Sequence, residues 1–153
     1  MNRVKAAFAA IVQDGLIAER SLAGCSDREI DAVERHFAVR LPGEYRDFLS
    51  IAGKGAGKLF RGTDIFYPRV LQLQLEAQEL LAENDLASLL PKGAVVFCMH
   101  QGYELNFFVP TSDDPPVFQF VEGQPEAVVA WHAFSEFISV SIEDHVRQWG
   151  DLN

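Results

Sequence analysis

The sequence predicts an α+β fold, in which helices pack on an antiparallel sheet of about four to six strands, within a single domain over residues 1–153. Hydrophobic residues make up 48% of the 153 residues, which is enough to build a core at this length. Apolar residues recur at helical spacing in the first half and again at the end. Between residues 95 and 131, short apolar segments alternate with turn residues, and this order of helices, strands and a closing helix is typical of α+β domains.

Three helices are predicted before residue 54. The first covers residues 3–18. The second begins at Ser26, because Ser26 and Glu29 form a capping box that satisfies two backbone N–H groups. The third begins at Pro42, whose fixed φ suits the start of a helix, and ends at Gly53. Apolar positions at steps of three and four define the predicted buried faces: Val4, Phe8, Ile11, Val12, Leu16, Ile30, Val33, Phe37, Tyr45, Phe48, Leu49 and Ala52.

A glycine-rich segment, residues 54–58, follows the third helix and is predicted to be a flexible connection. Its glycines and lysines are similar in composition to the phosphate-binding P-loop, which requires G-x-x-x-x-G-K-[ST] between a strand and a helix. Ala52 stands where the first glycine is needed, and Leu59 stands where Ser or Thr is needed. The segment therefore does not predict a phosphate site.

A further helix is predicted over residues 71–90, with a break at Asn84-Asp85 and with Leu75, Leu80, Leu81 and Leu89 available for burial. Four strands follow, at residues 95–100, 103–109, 117–121 and 127–131, separated by turns rich in Gly, Pro and Asp. An additional edge strand is expected within residues 59–66. The last helix is predicted over residues 134–149, with Phe134, Phe137, Ile138, Ile142 and Val146 facing inward.

The charge is distributed unevenly along the chain. Residues 1–75 hold eleven basic and nine acidic residues, a net charge of +2, whereas residues 76–153 hold two basic and thirteen acidic residues, a net charge of −11. Two interpretations fit this pattern: a solvated acidic surface that keeps the protein soluble, or an acidic face that steers a basic partner. The overall charge of −9 excludes a basic nucleic-acid-binding protein, because the acidic half would repel phosphate.

The location is predicted to be cytoplasmic, with no association with a membrane. The N-terminal segment lacks a continuous apolar stretch that leads to a small-residue cleavage site, since Gln13 and Asp14 interrupt it. No window approaches 18 consecutive apolar residues. Cys25 and Cys98 lie far apart in the sequence, and unpaired thiols are expected rather than a disulfide.

No catalytic, metal or cofactor site is predicted. The four histidines do not stand at i, i+3 or i+4 spacing, and neither H-E-x-x-H nor G-x-S-x-G occurs. Cys98 and His100 share a strand face, which raises the possibility of a Cys–His nucleophile. A strand that is apolar on both faces favours instead a buried thiol and a packed histidine. The aromatic residues that could mark a binding surface are each expected to join the core: Tyr67, Tyr103, Trp131 and Trp149.

One run of residues resembles the SUKH superfamily, which includes the fungal Smi/Knr cell-wall regulators and many bacterial proteins. The run has the form E-x-x-x-x-x-x-L-P-x-x-[YF]-x-x-[FL]-x-x-x-x-G. Six residues of this chain fit it in order: Glu34, Leu41, Pro42, Tyr45, Phe48 and Gly53. The later strands and the terminal helix, with its Phe134-Ser135-Glu136-Phe137 start, also resemble the family, so the likeness extends over nearly the whole chain.

The resemblance implies a protein-binding fold. The family has no established catalytic residues that could be assigned to positions of this sequence. Bacterial members are inferred to be immunity proteins that neutralise toxin domains, often nucleases, so a polymorphic toxin domain is the partner that it implies. The fungal relatives imply a second function, a regulatory or scaffold protein that acts on endogenous partners. An acidic surface suits the first function, since it can mimic nucleic acid and cover a basic active site.

The predicted partner surface consists of acidic residues at the ends of strands. Asp113, Asp114, Glu122 and Glu126 lie in turns within the acidic half of the chain. Glu104 lies within a strand, where an acidic side chain usually faces solvent or pairs across strands. We expect these five residues to form the contact with the partner protein.

Overall fold

The computed structural model describes residues 2–153 and confirms the α+β class. Its five helices are α1 (Arg3–Gln13), α2 (Asp27–Phe37), α3 (Gly43–Ala52), α4 (Leu73–Glu83) and α5 (Phe134–Trp149). Its seven strands are β1 (Leu22–Ala23), β2 (Gly55–Ala56), β3 (Thr63–Asp64), β4 (Val95–His100), β5 (Glu104–Phe108), β6 (Val117–Val121) and β7 (Val128–Trp131). Two short 3₁₀ turns, Glu19–Ser21 and Arg69–Gln72, precede β1 and α4.

The main sheet has five antiparallel strands in the order β3-β4-β5-β6-β7. The four predicted strands are all present, with ends that differ by one residue or less from those expected. The expected edge strand within residues 59–66 is also present, but only Thr63 and Asp64 pair with β4. Because each strand follows its neighbour directly, short turns suffice to connect β4 to β7.

Alternate residues of β5 face opposite sides of the sheet, as the strand geometry requires. Phe108 packs on Tyr45 of α3 and Phe134 of α5, with ring centroids 5.2 Å and 6.0 Å away. Its neighbour Phe107 points to the other side and stacks on Phe118 of β6. Helices α3 and α5 therefore cover one face of the sheet, and the segment that follows α4 approaches the other.

Helix α1 is joined to α3 through a buried carboxylate. Glu44, which is 1% exposed, accepts hydrogen bonds from the backbone N–H groups of Arg3 and Val4 at 2.7 and 3.3 Å. These N–H groups belong to the first turn of α1 and have no partner within the helix. The predicted first helix, residues 3–18, is too long, because the chain turns at Gly15 with a φ of 73°.

The glycine-rich segment 54–58 is more ordered than the sequence predicts. Gly55 and Ala56 form β2, which pairs with β1 in a separate two-stranded sheet. The N–H of Lys54 also donates to the carbonyl of Ala23 at 2.7 Å. The prediction of a flexible connection is wrong for these residues, because a distant strand satisfies their backbone groups.

Helix α4 packs beside β4, where the short β3 does not extend along the strand. The side-chain amide of Gln74 donates to the carbonyl of Ala94 and accepts from the N–H of Val96, both at 2.9 Å. It thereby replaces the backbone partner that a longer neighbouring strand would supply. Leu80 and Leu81 are buried as predicted, but Leu75 is 62% exposed, so its predicted burial is wrong.

Candidate functional site

The five acidic residues predicted to bind a partner lie at two opposite ends of the sheet. Asp113 and Asp114 lie in the connection from β5 to β6, whereas Glu122 and Glu126 lie in the connection from β6 to β7. Glu104 begins β5 and pairs with the last residue of β6. The structure therefore brings Glu104, Glu122 and Glu126 to one end and separates them from the other two by the length of β6, about 13 Å.

Asp113 and Asp114 each have a structural role at a helix N-terminus. Asp114 accepts hydrogen bonds from the backbone N–H and the hydroxyl of Ser135 in α5, at 2.8 and 2.6 Å, and its side chain is only 6% exposed. Asp113 accepts the N–H of Gly43 at 3.2 Å through its carboxylate. Both residues thus satisfy N–H groups that lack a partner within their helices, a role that local sequence cannot reveal.

At the other end of the sheet, the β6–β7 turn is joined to the end of α4. The carboxylate of Glu122 accepts a hydrogen bond from the side-chain amide of Asn84 at 3.0 Å. Asn84 directly follows α4, and its neighbours Glu83 and Asp85 are both exposed. The contact therefore places two further acidic residues beside the β6–β7 turn.

Five acidic residues together form what we call the acidic end of the molecule: Glu83, Asp85, Glu104, Glu122 and Glu126. None of their carboxylates lies within 4.0 Å of a basic side chain among residues 2–153. The negative charge here is therefore not neutralised by ion pairs and acts on the surrounding solvent and on any approaching molecule.

A cleft of about 500 Å³ opens between the segment after α4 and the sheet. The stacked rings of Phe107 and Phe118, with centroids 5.2 Å apart, contribute to its apolar lining. Asp85 and Glu126 of the acidic end also line it. The other lining residues are Leu86, Ser88, Leu89, Pro91, Val109, Pro125 and Ala127. We call this feature the sheet cleft.

An apolar cleft with charged residues beside it has the composition of a protein–protein contact surface. Such surfaces combine a core that excludes water with a polar rim that sets orientation and association rate. An apolar side chain of a partner can occupy the sheet cleft while basic groups around it approach Asp85 and Glu126. The arrangement suits a basic protein surface and is unfavourable for phosphate.

The residues of the sequence motif have structural functions. The carboxylate of Glu34 accepts the backbone N–H of Leu41 at 2.9 Å and a hydrogen bond from Arg46 at 3.0 Å. Tyr45 is completely buried. Gly53 leaves no space for a side chain, since a Cβ there would lie 2.5 Å from the carbonyl oxygen of Leu49. The motif therefore specifies the fold around α2 and α3 rather than a contact surface.

The model of the SMI1/KNR4 family (SUKH-1) matches residues 24–140, which is more than half of the chain. The chain belongs to the SMI1/KNR4 family. The resemblance inferred from the Glu34 to Gly53 motif is thereby confirmed. A search of the curated proteins finds no match to this SMI1/KNR4 chain.

In this SMI1/KNR4 protein, the environment of Cys98 does not favour a nucleophile. Cys98 is 2% exposed, and burial together with the charge of Glu104 raises the pKa of its thiol well above the usual range. The imidazole Nδ1 of His100 lies 2.9 Å from the hydroxyl of Thr63. A catalytic cysteine requires a thiolate near neutral pH, and the surroundings of Cys98 oppose one.

The cysteines and the aromatic residues singled out in the sequence have the following environments in the structure. Both cysteines are unpaired, as expected. Among residues 2–153, no group of three His, Cys, Asp or Glu side chains is placed to hold a metal ion. None of the helices in that range is long and apolar enough to cross a membrane. Tyr67 and Trp131 pack against the core, but Tyr103 and Trp149 are 40% and 68% exposed, so the prediction that each joins the core is wrong for these two.

Sequence reasoning did not identify the residues of the sheet cleft and of the acidic end as one surface. Phe107 and Phe118 were assigned to strands, and Glu83 and Asp85 were assigned to a helix and its break. Their proximity depends on the pairing of β5 with β6 and on the contact between Asn84 and Glu122.

Proposed function

We propose that this SMI1/KNR4 protein is a non-catalytic protein-binding module of the immunity type, which binds and neutralises a toxin domain, such as a nuclease domain, through an acidic surface. The observation that carries the proposal is the combination of the sheet cleft with the unpaired charges of the acidic end. In this proposal, residues 1–153 act as one domain in the cytoplasm, without a cofactor, a metal ion or a nucleic-acid ligand.

The proposed partner presents a basic surface with an apolar side chain at its centre. Nuclease domains bind phosphate backbones through Lys and Arg, so their active-site regions are commonly basic. The acidic end would occupy such a region in place of nucleic acid, and an apolar side chain in the sheet cleft would exclude water from the contact. Long-range attraction would make association fast and dependent on salt.

Glu104, Glu122 and Glu126 are the proposed contact residues at the acidic end. Asp113 and Asp114 belong to the same proposal, but their links to α3 and α5 mean that substitutions there would also disturb the fold. The test therefore uses Glu122 and Glu126. Substitution by glutamine removes each charge and leaves an oxygen that can accept the hydrogen bond from Asn84.

The experiment begins with affinity capture from the source cells at low and moderate salt, with identification of partners by mass spectrometry. A stoichiometric partner that carries a toxin domain is then purified, and its association is measured with the wild type and with the E122Q/E126Q double variant. We expect the variant to associate several-fold more slowly at low salt and to depend less on salt concentration.

A matched control is the D31N/E143Q double variant, which removes the same charge from two exposed acidic residues outside the acidic end. The control should retain most of the wild-type association rate. Equal effects of the two double variants would contradict the proposed surface, because they would show that only net charge matters. If the source cells yield no partner, the same measurement is made with toxin domains from competing strains.

The family description also supports a second candidate, a regulatory or scaffold protein that binds endogenous partners, because the matching model is that of SMI1/KNR4. The capture experiment separates the two candidates. Recovery of the cell's own proteins, with no toxin domain and with no inhibition of a toxic activity, favours the regulatory function. Protection of a nuclease substrate by stoichiometric amounts of the protein favours the immunity function.

A further inference from the structure

A second cavity lies between the loop after β2 and the end of α5. Its volume is about 390 Å³, within the range of sites for small molecules. Six residues line it: Lys58, Phe60, Arg61, His145, Trp149 and Asp151. Three of them lie beyond the segment that matches the family model, residues 24–140. None of the six belongs to the motif from Glu34 to Gly53, so the cavity is separate from that motif.

The cavity combines positive charge with aromatic surface. Neither Lys58 nor Arg61 lies within 4.0 Å of a carboxylate among residues 2–153. The imidazole Nε2 of His145 is buried and has no hydrogen-bond partner within the same residues. Trp149 is 68% exposed although it is the largest apolar side chain of the region. A ligand could supply partners to the two basic groups, which form no ion pairs, and to the exposed indole ring, while the carboxylate of Asp151 lines the same cavity.

The backbone around the cavity is held in place before any ligand binds. The N–H of Lys58 donates to the carbonyl of Leu152 at 2.8 Å, and the N–H of Leu152 donates to the carbonyl of Leu16 at 2.9 Å. Gly57 has a φ of 59°, and a Cβ there would lie 2.1 Å from the oxygen of Leu152. Phe60 also has a positive φ, of 63°, which is rare for an aromatic residue. Such fixed walls reduce the entropy lost on binding.

We propose that this cavity binds a small anion that carries a planar ring, with the anionic group at Lys58 and Arg61 and the ring against Trp149. An arginine guanidinium forms paired hydrogen bonds with either a phosphate or a carboxylate, so the shared chemistry is an aryl or heteroaryl phosphate or carboxylate. Indole and phenyl rings offer stacking surfaces for the planar group.

The test uses the full chain, labelled with ¹⁵N, and follows the two indole N–H signals by NMR. Phenyl phosphate and benzoate are titrated separately, with benzamide as the neutral control. We expect the Trp149 signal to shift in a saturable way at about millimolar ligand or below. The signal of Trp131, which packs on Phe137 at 4.9 Å, should not move. The relative affinities of the two anions identify the source as a phosphate or a carboxylate.

Arg61→Gln should weaken binding of the preferred anion by about tenfold or more, because it removes a charged hydrogen-bond donor. The matched control is Arg147→Gln, on α5 outside the cavity and paired with Asp144, which should retain the wild-type affinity. Both variants are checked for an unchanged ¹⁵N spectrum elsewhere. The absence of a saturable Trp149 shift with either anion, equal binding of benzamide, or an unaffected R61Q variant would overturn the proposal.

Discussion

The carboxylate of Glu34, near the end of α2, accepts the backbone N–H of Leu41 at 2.9 Å and fixes the chain immediately before α3 begins. Glu34 and Leu41 are seven positions apart in sequence, and the same carboxylate oxygen also accepts a hydrogen bond from Arg46. The side chain of Glu34 thus joins the end of α2 to the start of α3. This contact explains why glutamate precedes Leu-Pro at that spacing in the sequence.

Removal of this acceptor should destabilise the fold. Glu34→Ala leaves the N–H of the buried Leu41 without a partner, and we expect the free energy of unfolding to fall by about 1–3 kcal/mol. Glu34→Gln keeps an oxygen in place and should cost less. Urea denaturation of both variants measures the difference. An E34Q variant as unstable as E34A would show that the ion pair with Arg46 dominates instead of the hydrogen bond to the backbone.

Asp114 and Asp113 form a natural comparison, because each caps a helix from a distant loop. Asp114 is nearly buried and makes two short hydrogen bonds to Ser135, whereas Asp113 is exposed and makes one longer side-chain bond to Gly43. We expect Asp114→Ala to lower the free energy of unfolding by about 1–2 kcal/mol and Asp113→Ala to lower it by a few tenths. Thermal or chemical denaturation measures both, and the reverse order would contradict the assigned roles.

Substitution by alanine should have different effects at Gly53 and at Gly55. A Cβ at Gly53 would lie 2.5 Å from the carbonyl oxygen of Leu49 and 2.6 Å from the sulfur of Cys25, whereas at Gly55 the nearest atom is 3.8 Å away. We expect Gly53→Ala to cost about 2 kcal/mol or more through overpacking. Gly55→Ala should be close to neutral. Neither glycine has a positive φ, so equal losses in a denaturation experiment would indicate a cause other than steric conflict.

Because both thiols are buried, we expect the protein to lose stability in alkaline solution. Burial raises the pKa of Cys25 from 9.0 to about 11, and raises that of Cys98 further. As pH rises above about 9, the unfolded chain releases the thiol protons first, while the folded chain retains them. The stabilisation is therefore complete below pH 9 and declines above it, by up to about 1.4 kcal/mol per pH unit for each thiol.

Cys98→Ala tests this linkage. The variant should be less stable than the wild type at pH 7, because a buried side chain is lost, yet its stability should fall less steeply between pH 9 and pH 10.5. Urea denaturation across this range gives both slopes. Identical slopes for the two proteins would mean that the Cys98 thiol ionises at the same pH in both states, contrary to its burial.

The sequence predicts the elements of this fold better than it predicts their contacts. The capping box at Ser26 and the alternation of apolar segments with turn residues are local signals, and α2 and strands β4 to β7 follow from them. The pairing of β2 with β1 is not local, since it joins residues more than thirty positions apart. The sequence therefore predicts a flexible segment at residues 54–58, whereas in the structure a distant strand orders it.

The candidate surface could likewise be predicted from the sequence only in part. The acidic turns are evident in the sequence, but Asp113 and Asp114 turn toward helix termini, which only the tertiary structure determines. The sheet cleft depends on residues from β5, β6 and the segment after α4. Trp149 has the spacing of a core residue in α5, but it is exposed and lines a cavity instead.

We expect that a fragment limited to residues 24–140, the segment that matches the family model, does not fold on its own. Val4 and Phe8 of α1 and Leu152 near the C-terminus are at most 1% exposed, and all three lie outside residues 24–140. A fragment limited to the matched segment would expose the apolar surface that these residues cover and would leave the carboxylate of Glu44 without the N–H groups of α1. Experiments on isolated fragments therefore need both flanking segments, because residues on either side of the matched segment complete the hydrophobic core.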